Sequence, residues 1–91
     1  MKNARTVREF IDLAVGVYGP IEMQNGDVYT GPLANGEREG YGLIVFADQS
    51  FYIGNWQRDM ANGIGKHVSI ENTVSEGEWK DNTLCGFARV I

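Results

Sequence analysis

The chain has 91 residues with a formal net charge of −4 at pH 7, and its hydrophobic share of 43% favours one folded domain over a disordered chain. The negative charge opposes contact with phosphate backbones, so no nucleic acid partner is expected, and it disfavours a membrane lipid as partner. The single cysteine, Cys85, cannot form an internal disulfide, and no apolar run is long enough to cross a bilayer, so we expect a cytoplasmic protein.

Residues 1–16 form the first predicted segment, in which an amphipathic helix covers residues 6–15. Thr6 and Glu9 have the spacing of a capping box, and Gly16 ends the helical pattern. Apolar residues recur at the helical period, namely Val7, Phe10, Ile11 and Ala14. We expect this helix to cap the open edge or the apolar face at the start of a sheet. The alternative is a helix that binds a partner or a membrane surface.

The rest of the chain, residues 17–91, contains a repeated unit. Three segments share a central glycine and a large final residue, and they begin 23 residues apart, at positions 29, 52 and 75. Moving back by the same step aligns residues 18–19 with residues 41–42, which indicates an additional half-repeat. The predicted units are therefore a half-repeat at 17–28 and repeats at 29–51, 52–74 and 75–91.

Each unit is predicted to form a β-hairpin. In the first strand of the second repeat, the alternation of residue types places Tyr52, Gly54 and Trp56 on one face. Ile53 and Asn55 then lie on the opposite face. One column of the repeat holds residue types that readily adopt positive φ, and it marks the hairpin turns at Gly36, Asp59 and Asn82.

The second strand of the first two hairpins opens with the pattern Gly-x-Gly, although glycine weakens the interior of a strand. Aromatic rings from adjacent strands are expected to lie across these glycines, where the absent side chains leave room. The strands are predicted to continue through residues 43–46 and 67–70. Polar turns are then predicted at residues 48–50 and 71–73.

The pattern Y-x-G-x-W, a variable turn and G-x-G resembles the repeat of the MORN (membrane occupation and recognition nexus) family over residues 17–91. Residues 52–65 carry the whole pattern, whereas other units depart from it at Leu33, Ser75 and Ala88. The resemblance implies a mainly β fold, with a single twisted antiparallel sheet of stacked β-hairpins and a groove along its aromatic column. It also implies a module for protein interaction and assembly, or for binding membrane lipid.

The aromatic column is the first candidate site. It would form a groove for a protein or peptide partner from Tyr29, Leu33, Tyr52, Trp56 and Trp79. Large aromatic side chains in a groove are typical binding hot spots. The alternative is a purely structural column, because a small single-layer sheet needs its aromatic residues for stability.

The end of the chain supplies the second candidate site. An uncovered apolar edge strand is a template for pairing with another chain, and we expect a homodimer through Phe87, Arg89, Val90 and Ile91.

The residue pattern predicts neither an enzyme nor a cofactor or metal site. His67 is the single histidine, and we interpret it as a strand residue on the face of the glycines. The leading function is a non-catalytic interaction module that acts as an adaptor or assembly factor. The alternatives are phosphoinositide or membrane-surface binding, and a small acidic inhibitor that blocks a basic site on a larger enzyme. The acidic surface for such an inhibitor would comprise Glu22, Asp27, Glu37, Glu39, Glu71, Glu76, Glu78 and Asp81.

Overall fold

The computed structural model describes residues 17–90, with the side chains of residues 18–85. This part of the chain consists of β-strands joined by turns, and it contains no helix. The strands are β1 (Val17–Glu22), β2 (Val28–Ala34), β3 (Glu37–Arg38), β4 (Gly40–Val45), β5 (Phe51–Gln57), β6 (Met60–Val68), β7 (Val74–Lys80) and β8 (Thr83–Val90).

The strands form one antiparallel sheet in the order β1, β2, β4, β5, β6, β7, β8, and the short β3 pairs with the end of β2. Each strand therefore lies next to its neighbour in sequence, which is the topology of consecutive hairpins. The prediction of a mainly β chain with a single antiparallel sheet of hairpins is confirmed. The predicted helix at residues 6–15 lies outside the described residues.

The three hairpin turns all have two consecutive residues with positive φ. The pairs are Asn35 and Gly36 (54° and 80°), Arg58 and Asp59 (52° and 70°), and Asp81 and Asn82 (49° and 68°). Two positive φ angles define the type I′ turn, whose twist matches that of the flanking strands. The predicted positions of the turns are confirmed.

The links between hairpins also repeat, with one positive-φ residue at Gly26, Gln49 and Asn72. The predicted turns at residues 48–50 and 71–73 are confirmed, but the strands before them are shorter than predicted. β4 ends at Val45 and β6 at Val68. Ile70 is exposed in a turn, because the Ser69 hydroxyl accepts hydrogen bonds from the backbone of Glu71 and Thr73 and closes the chain locally.

A row of glycines crosses the sheet beneath the aromatic rings. Gly42, Gly54, Gly65 and Gly77 are paired successively from β4 to β7. A Cβ atom on Gly42 would lie 2.8 Å from Cε1 of Tyr29, and one on Gly65 would overlap the ring of Tyr52. The prediction that aromatic rings cover glycine backbone is therefore confirmed.

The core is thin and lies on this same face of the sheet. Tyr29, Ile44, Tyr52, Trp56 and Ala61 are buried there. Partly buried apolar residues pack around them, namely Met23, Leu33, Phe46 and Trp79. With no second layer among the described residues, the rings themselves shield the backbone of the sheet from water.

Because the Tyr52 ring occupies the space above Gly65, we expect Gly65→Ala to lower the free energy of unfolding by about 1–3 kcal/mol. Gly65 does not have a positive φ, so steric overlap is the cause of this loss. Urea denaturation would measure it, with the exposed neighbour Lys66→Ala as the control. Equal stability of the two variants would contradict the ring-over-glycine contact.

Candidate partner-binding groove

Four aromatic residues form a ladder of edge-to-face contacts. Trp56 stands between Tyr29 and Tyr52, with ring centroids 5.7 Å and 5.2 Å away and interplanar angles of 81° and 89°. Trp79 meets Tyr52 at 5.2 Å and 78°. This geometry is the favourable arrangement of aromatic quadrupoles, so the ladder holds its rings in fixed orientations.

Hydrogen bonds fix the polar atoms of the ladder. The indole N–H of Trp56 donates to the Gly42 carbonyl at 3.1 Å, and that of Trp79 donates to the Gly65 carbonyl at 3.0 Å. The hydroxyls of Tyr29 and Tyr52 each donate to the backbone carbonyl three residues later. Burial raises the pKa of both tyrosines to about 12, so the two hydroxyls remain neutral donors at physiological pH.

A concave groove with a volume of about 470 Å³ opens above this ladder. It is lined by Asp27, Arg38, Phe46, Tyr52, Trp56, Ala61, His67, Trp79 and Asn82. Of the five residues predicted to form the groove, the structure places Tyr52, Trp56 and Trp79 along its lining. Tyr29 is fully buried behind them, and Leu33 packs against the core.

Arg38 is a groove residue that the sequence analysis did not single out. Its guanidinium carbon lies 4.5 Å from the ring centroid of Trp56 and 6.0 Å from that of Tyr29. Its Nε donates to Oδ1 of Asp59 at 2.6 Å, and its Nη2 donates to the Asp59 carbonyl at 2.9 Å. Stacking and an ion pair thus hold one cation on the ladder. The sequence did indicate one part of this contact, since its acceptor, Asp59, occupies the predicted turn of the next hairpin.

The turn residues also connect neighbouring hairpins. Oδ1 of Asp59 accepts the backbone N–H of Arg38 at 3.1 Å, and the Asp59 N–H donates to the Arg38 carbonyl at 3.0 Å. Asn82 makes the same two bonds to Ala61, at 2.8 Å and 3.0 Å. The turns at Asp59 and Asn82 therefore serve a second purpose, because each fastens its hairpin to the preceding one.

The other candidate residues that the structure describes lie on β6 and β8. β8 is the last strand of the sheet order, and Arg89 and Val90 pair with Glu76 and Ser75 of β7. The side chains of residues 86–91 lie outside the described part, so the dimer prediction stays a prediction. His67 is half-buried at the groove, and its ring centroid lies 6.1 Å from that of Phe46. Cys85 is an exposed free thiol.

Two further features are absent from residues 17–90. No group of three or more histidine, cysteine or carboxylate side chains in this range is arranged to hold a metal ion. No helix in the same range is long and apolar enough to span a membrane.

The hydrogen bond from Arg38 lowers the pKa of Asp59 below its ordinary value of 3.8. A carboxyl with a lowered folded-state pKa stabilises the fold above its unfolded pKa, and this contribution disappears as the pH falls through the folded value. We expect Asp59→Asn to lower the free energy of unfolding at pH 7 by about 0.5–1 kcal/mol, because the carboxylate is half-exposed. Asparagine keeps the backbone bond, as Asn82 shows in the next hairpin.

Urea titrations from pH 7 down to pH 2 would test this prediction. The difference between the wild type and Asp59→Asn should begin to shrink as the pH falls below 3.8. The two should converge once the pH is below the lowered folded-state pKa of Asp59, where both carry an uncharged side chain. Glu37→Gln, at an exposed carboxyl on the first hairpin, is the control and should track the wild type throughout. A difference between wild type and Asp59→Asn that is constant with pH would contradict the stabilising ion pair.

Comparison with known proteins agrees with this architecture. The sequence matches the MORN repeat family at three consecutive segments, residues 29–51, 52–72 and 76–89. No curated protein matches the chain. MORN repeats form a non-enzymatic module that is generally associated with protein or membrane binding. The three matched segments cover more than half of the chain and coincide with its hairpins, and the chain therefore belongs to the MORN repeat family.

Proposed function

We propose that the chain is a non-catalytic protein interaction module, an adaptor or assembly factor, and that its aromatic groove binds a segment of a partner protein. One observation carries this proposal: the groove lies open above a ladder of rings that are already fixed by their own contacts. Preformed aromatic surfaces lose little conformational entropy on binding, so they favour affinity.

The degree of burial divides the groove residues into two groups. Tyr52 and Trp56 are 3% and 5% exposed, so they form the floor and stabilise the sheet. Trp79, Phe46 and His67 are only half-buried, and they present surface to a partner. Within the aromatic column, the structural interpretation thus applies to Tyr52 and Trp56, and the binding interpretation applies to Trp79.

A second candidate is the acidic inhibitor of a basic enzyme site. Five of the predicted acidic residues have exposed side chains, namely Glu22, Glu37, Glu71, Glu78 and Asp81. Binding through such a surface would weaken steeply as salt is raised, whereas binding through the aromatic groove would change little. The charge of −4 disfavours the third candidate, phosphoinositide or membrane-surface binding. We also propose a cytoplasmic location, supported by the unpaired thiol of Cys85.

We expect Trp79→Ala to weaken partner capture by tenfold or more, because a central aromatic hot spot contributes about 2 kcal/mol or more. Immobilised wild type and variant would be compared in lysate of the native host at low and high salt, with bound proteins quantified by mass spectrometry. The control is Ile64→Ala, since Ile64 is 64% exposed on the opposite face of the sheet. Circular dichroism would establish that both variants are folded. Retention of the same partner by Trp79→Ala would reject the groove.

We further propose a homodimer through the edge of β8, which is supported by the position of β8 at the end of the sheet. Sedimentation should then show mass doubling at high micromolar concentration. Val90→Lys should shift the chain toward monomer, because charged residues on an edge strand oppose pairing. A wild type that sediments as a monomer across the whole concentration range would contradict the dimer.

A further inference from the structure

The contact between the second and third hairpins repeats the indole hydrogen bond and the edge-to-face ring contact that join the first and second hairpins. Trp79 bonds Gly65 and meets Tyr52 edge to face, as Trp56 bonds Gly42 and meets Tyr29. The positions of all these residues are related by the repeat of 23. The first of the two contacts can therefore be used as a template for the second.

The template differs in one component. In the first contact Arg38 lays its guanidinium over Trp56 and bonds the turn residue Asp59. The position equivalent to Arg38 in the next repeat is Ala61, whose side chain ends at Cβ. Ala61, Trp79 and Asn82 together line the groove. The indole and the turn acceptor of the arginine site are thus present a second time, and the alanine at the equivalent position supplies no guanidinium to fill it.

We propose that Trp79 and Asn82 form a binding site for the guanidinium group of an arginine side chain on the partner protein. This inference names the partner's chemistry, and so it rests on the proposed function of the groove. Oδ1 of Asn82 accepts one hydrogen bond, from the Ala61 N–H, and a carbonyl oxygen has a second lone pair for an incoming donor. The Asn82 backbone carbonyl corresponds to the Asp59 carbonyl that accepts Nη2 of Arg38.

The degree of burial agrees with this assignment. Trp56 lies beneath the guanidinium of Arg38 and is only 5% exposed, whereas Trp79 is half-buried at the groove. An arginine that stacked on Trp79 would reproduce the covered state of Trp56. It would bury an aromatic surface and gain a cation–π contact in the same step.

Charge also favours a cationic partner. Of the 12 Asp and Glu residues, Glu9 and Asp12 precede residue 17, and so do Lys2, Arg5 and Arg8 of the 8 basic residues. Ten acids and five bases therefore belong to residues 17–91, whose formal charge is −5. Arginine fits better than lysine, because a planar guanidinium stacks on an indole while it donates hydrogen bonds in its own plane.

The chain's two tryptophans give two indole N–H signals, so nuclear magnetic resonance can follow each ring in the full chain. The probe is N-acetyl-argininamide, titrated to tens of millimolar against the nitrogen-15-labelled protein, with N-acetyl-lysinamide as the matched cation. We expect the arginine probe to shift the Trp79 signal at least threefold more than the Trp56 signal. The lysine probe should shift the Trp79 signal at least threefold less than the arginine probe does.

Two variants each give the second site one component of the first site. Ala61→Arg supplies the missing side chain, and we expect it to abolish the probe-dependent shift of the Trp79 signal. Asn82→Asp restores the carboxylate of the first site, and we expect it to tighten probe binding by about threefold to tenfold, because a charged acceptor strengthens the bond. The second variant keeps the inference testable if Ala61→Arg fails to fold.

An unmoved Trp79 signal, or equal shifts with the arginine and lysine probes, would overturn the site. If such a result accompanied loss of the partner in Trp79→Ala, the groove would stand and the arginine assignment alone would fail. The chain's own N-terminal basic residues are the competing occupant. Movement of the Trp79 signal in Arg5→Gln/Arg8→Gln without any probe would assign the site to that segment and reject the partner arginine.

Discussion

The contact between an aromatic ring and glycine backbone is the constraint on which this fold depends. A single-layer sheet exposes both of its faces to water, and hydrophobic stabilisation then requires the sheet to cover itself. Tyr29 and Tyr52 do this by lying across Gly42 and Gly65, where any Cβ atom would displace the ring. In the first two repeats the tyrosine and the glycine are therefore not independent choices, since each of these rings requires the bare backbone beneath it.

The same rings help to hold neighbouring hairpins together in one sheet. An isolated two-stranded hairpin is marginally stable, so each unit needs its neighbours. Lateral cohesion comes from the indole bonds of Trp56 and Trp79 to the preceding hairpin, and from the turns at Asp59 and Asn82. In the second and third hairpins the turn residue must adopt positive φ and must also present a side-chain acceptor to the preceding hairpin. Aspartate and asparagine combine both properties. Gly36, at the first turn, has only the conformational property.

The sequence predicted the hairpins, their turns and the residues that share a face of β5, because period-2 alternation and positive-φ residue types are local signals. It did not predict that Tyr29 is fully buried, because depth within a sheet depends on how many strands flank a residue on either side. It also missed Arg38, since a lone arginine looks like a solvated surface residue until the fold brings Trp56 and Asp59 beside it. The prediction that the strand continues to residue 70 is wrong, because the hydrogen bonds that the Ser69 hydroxyl accepts outweigh β propensity there.

In a repeat protein the differences between units are more informative than the shared pattern. The shared residues are required for stacking, and a departure that leaves the stack intact is free to serve another purpose. Ser75 replaces a ladder tyrosine, and among the described side chains Trp79 has Tyr52 as its ring neighbour, whereas Trp56 has two. Ala61 then replaces the arginine that covers the equivalent indole. Two departures thus leave the same ring half-buried, while its orientation is fixed by the bond to Gly65. A half-buried ring that is held by a hydrogen bond and by one edge-to-face contact has the properties of a recognition surface.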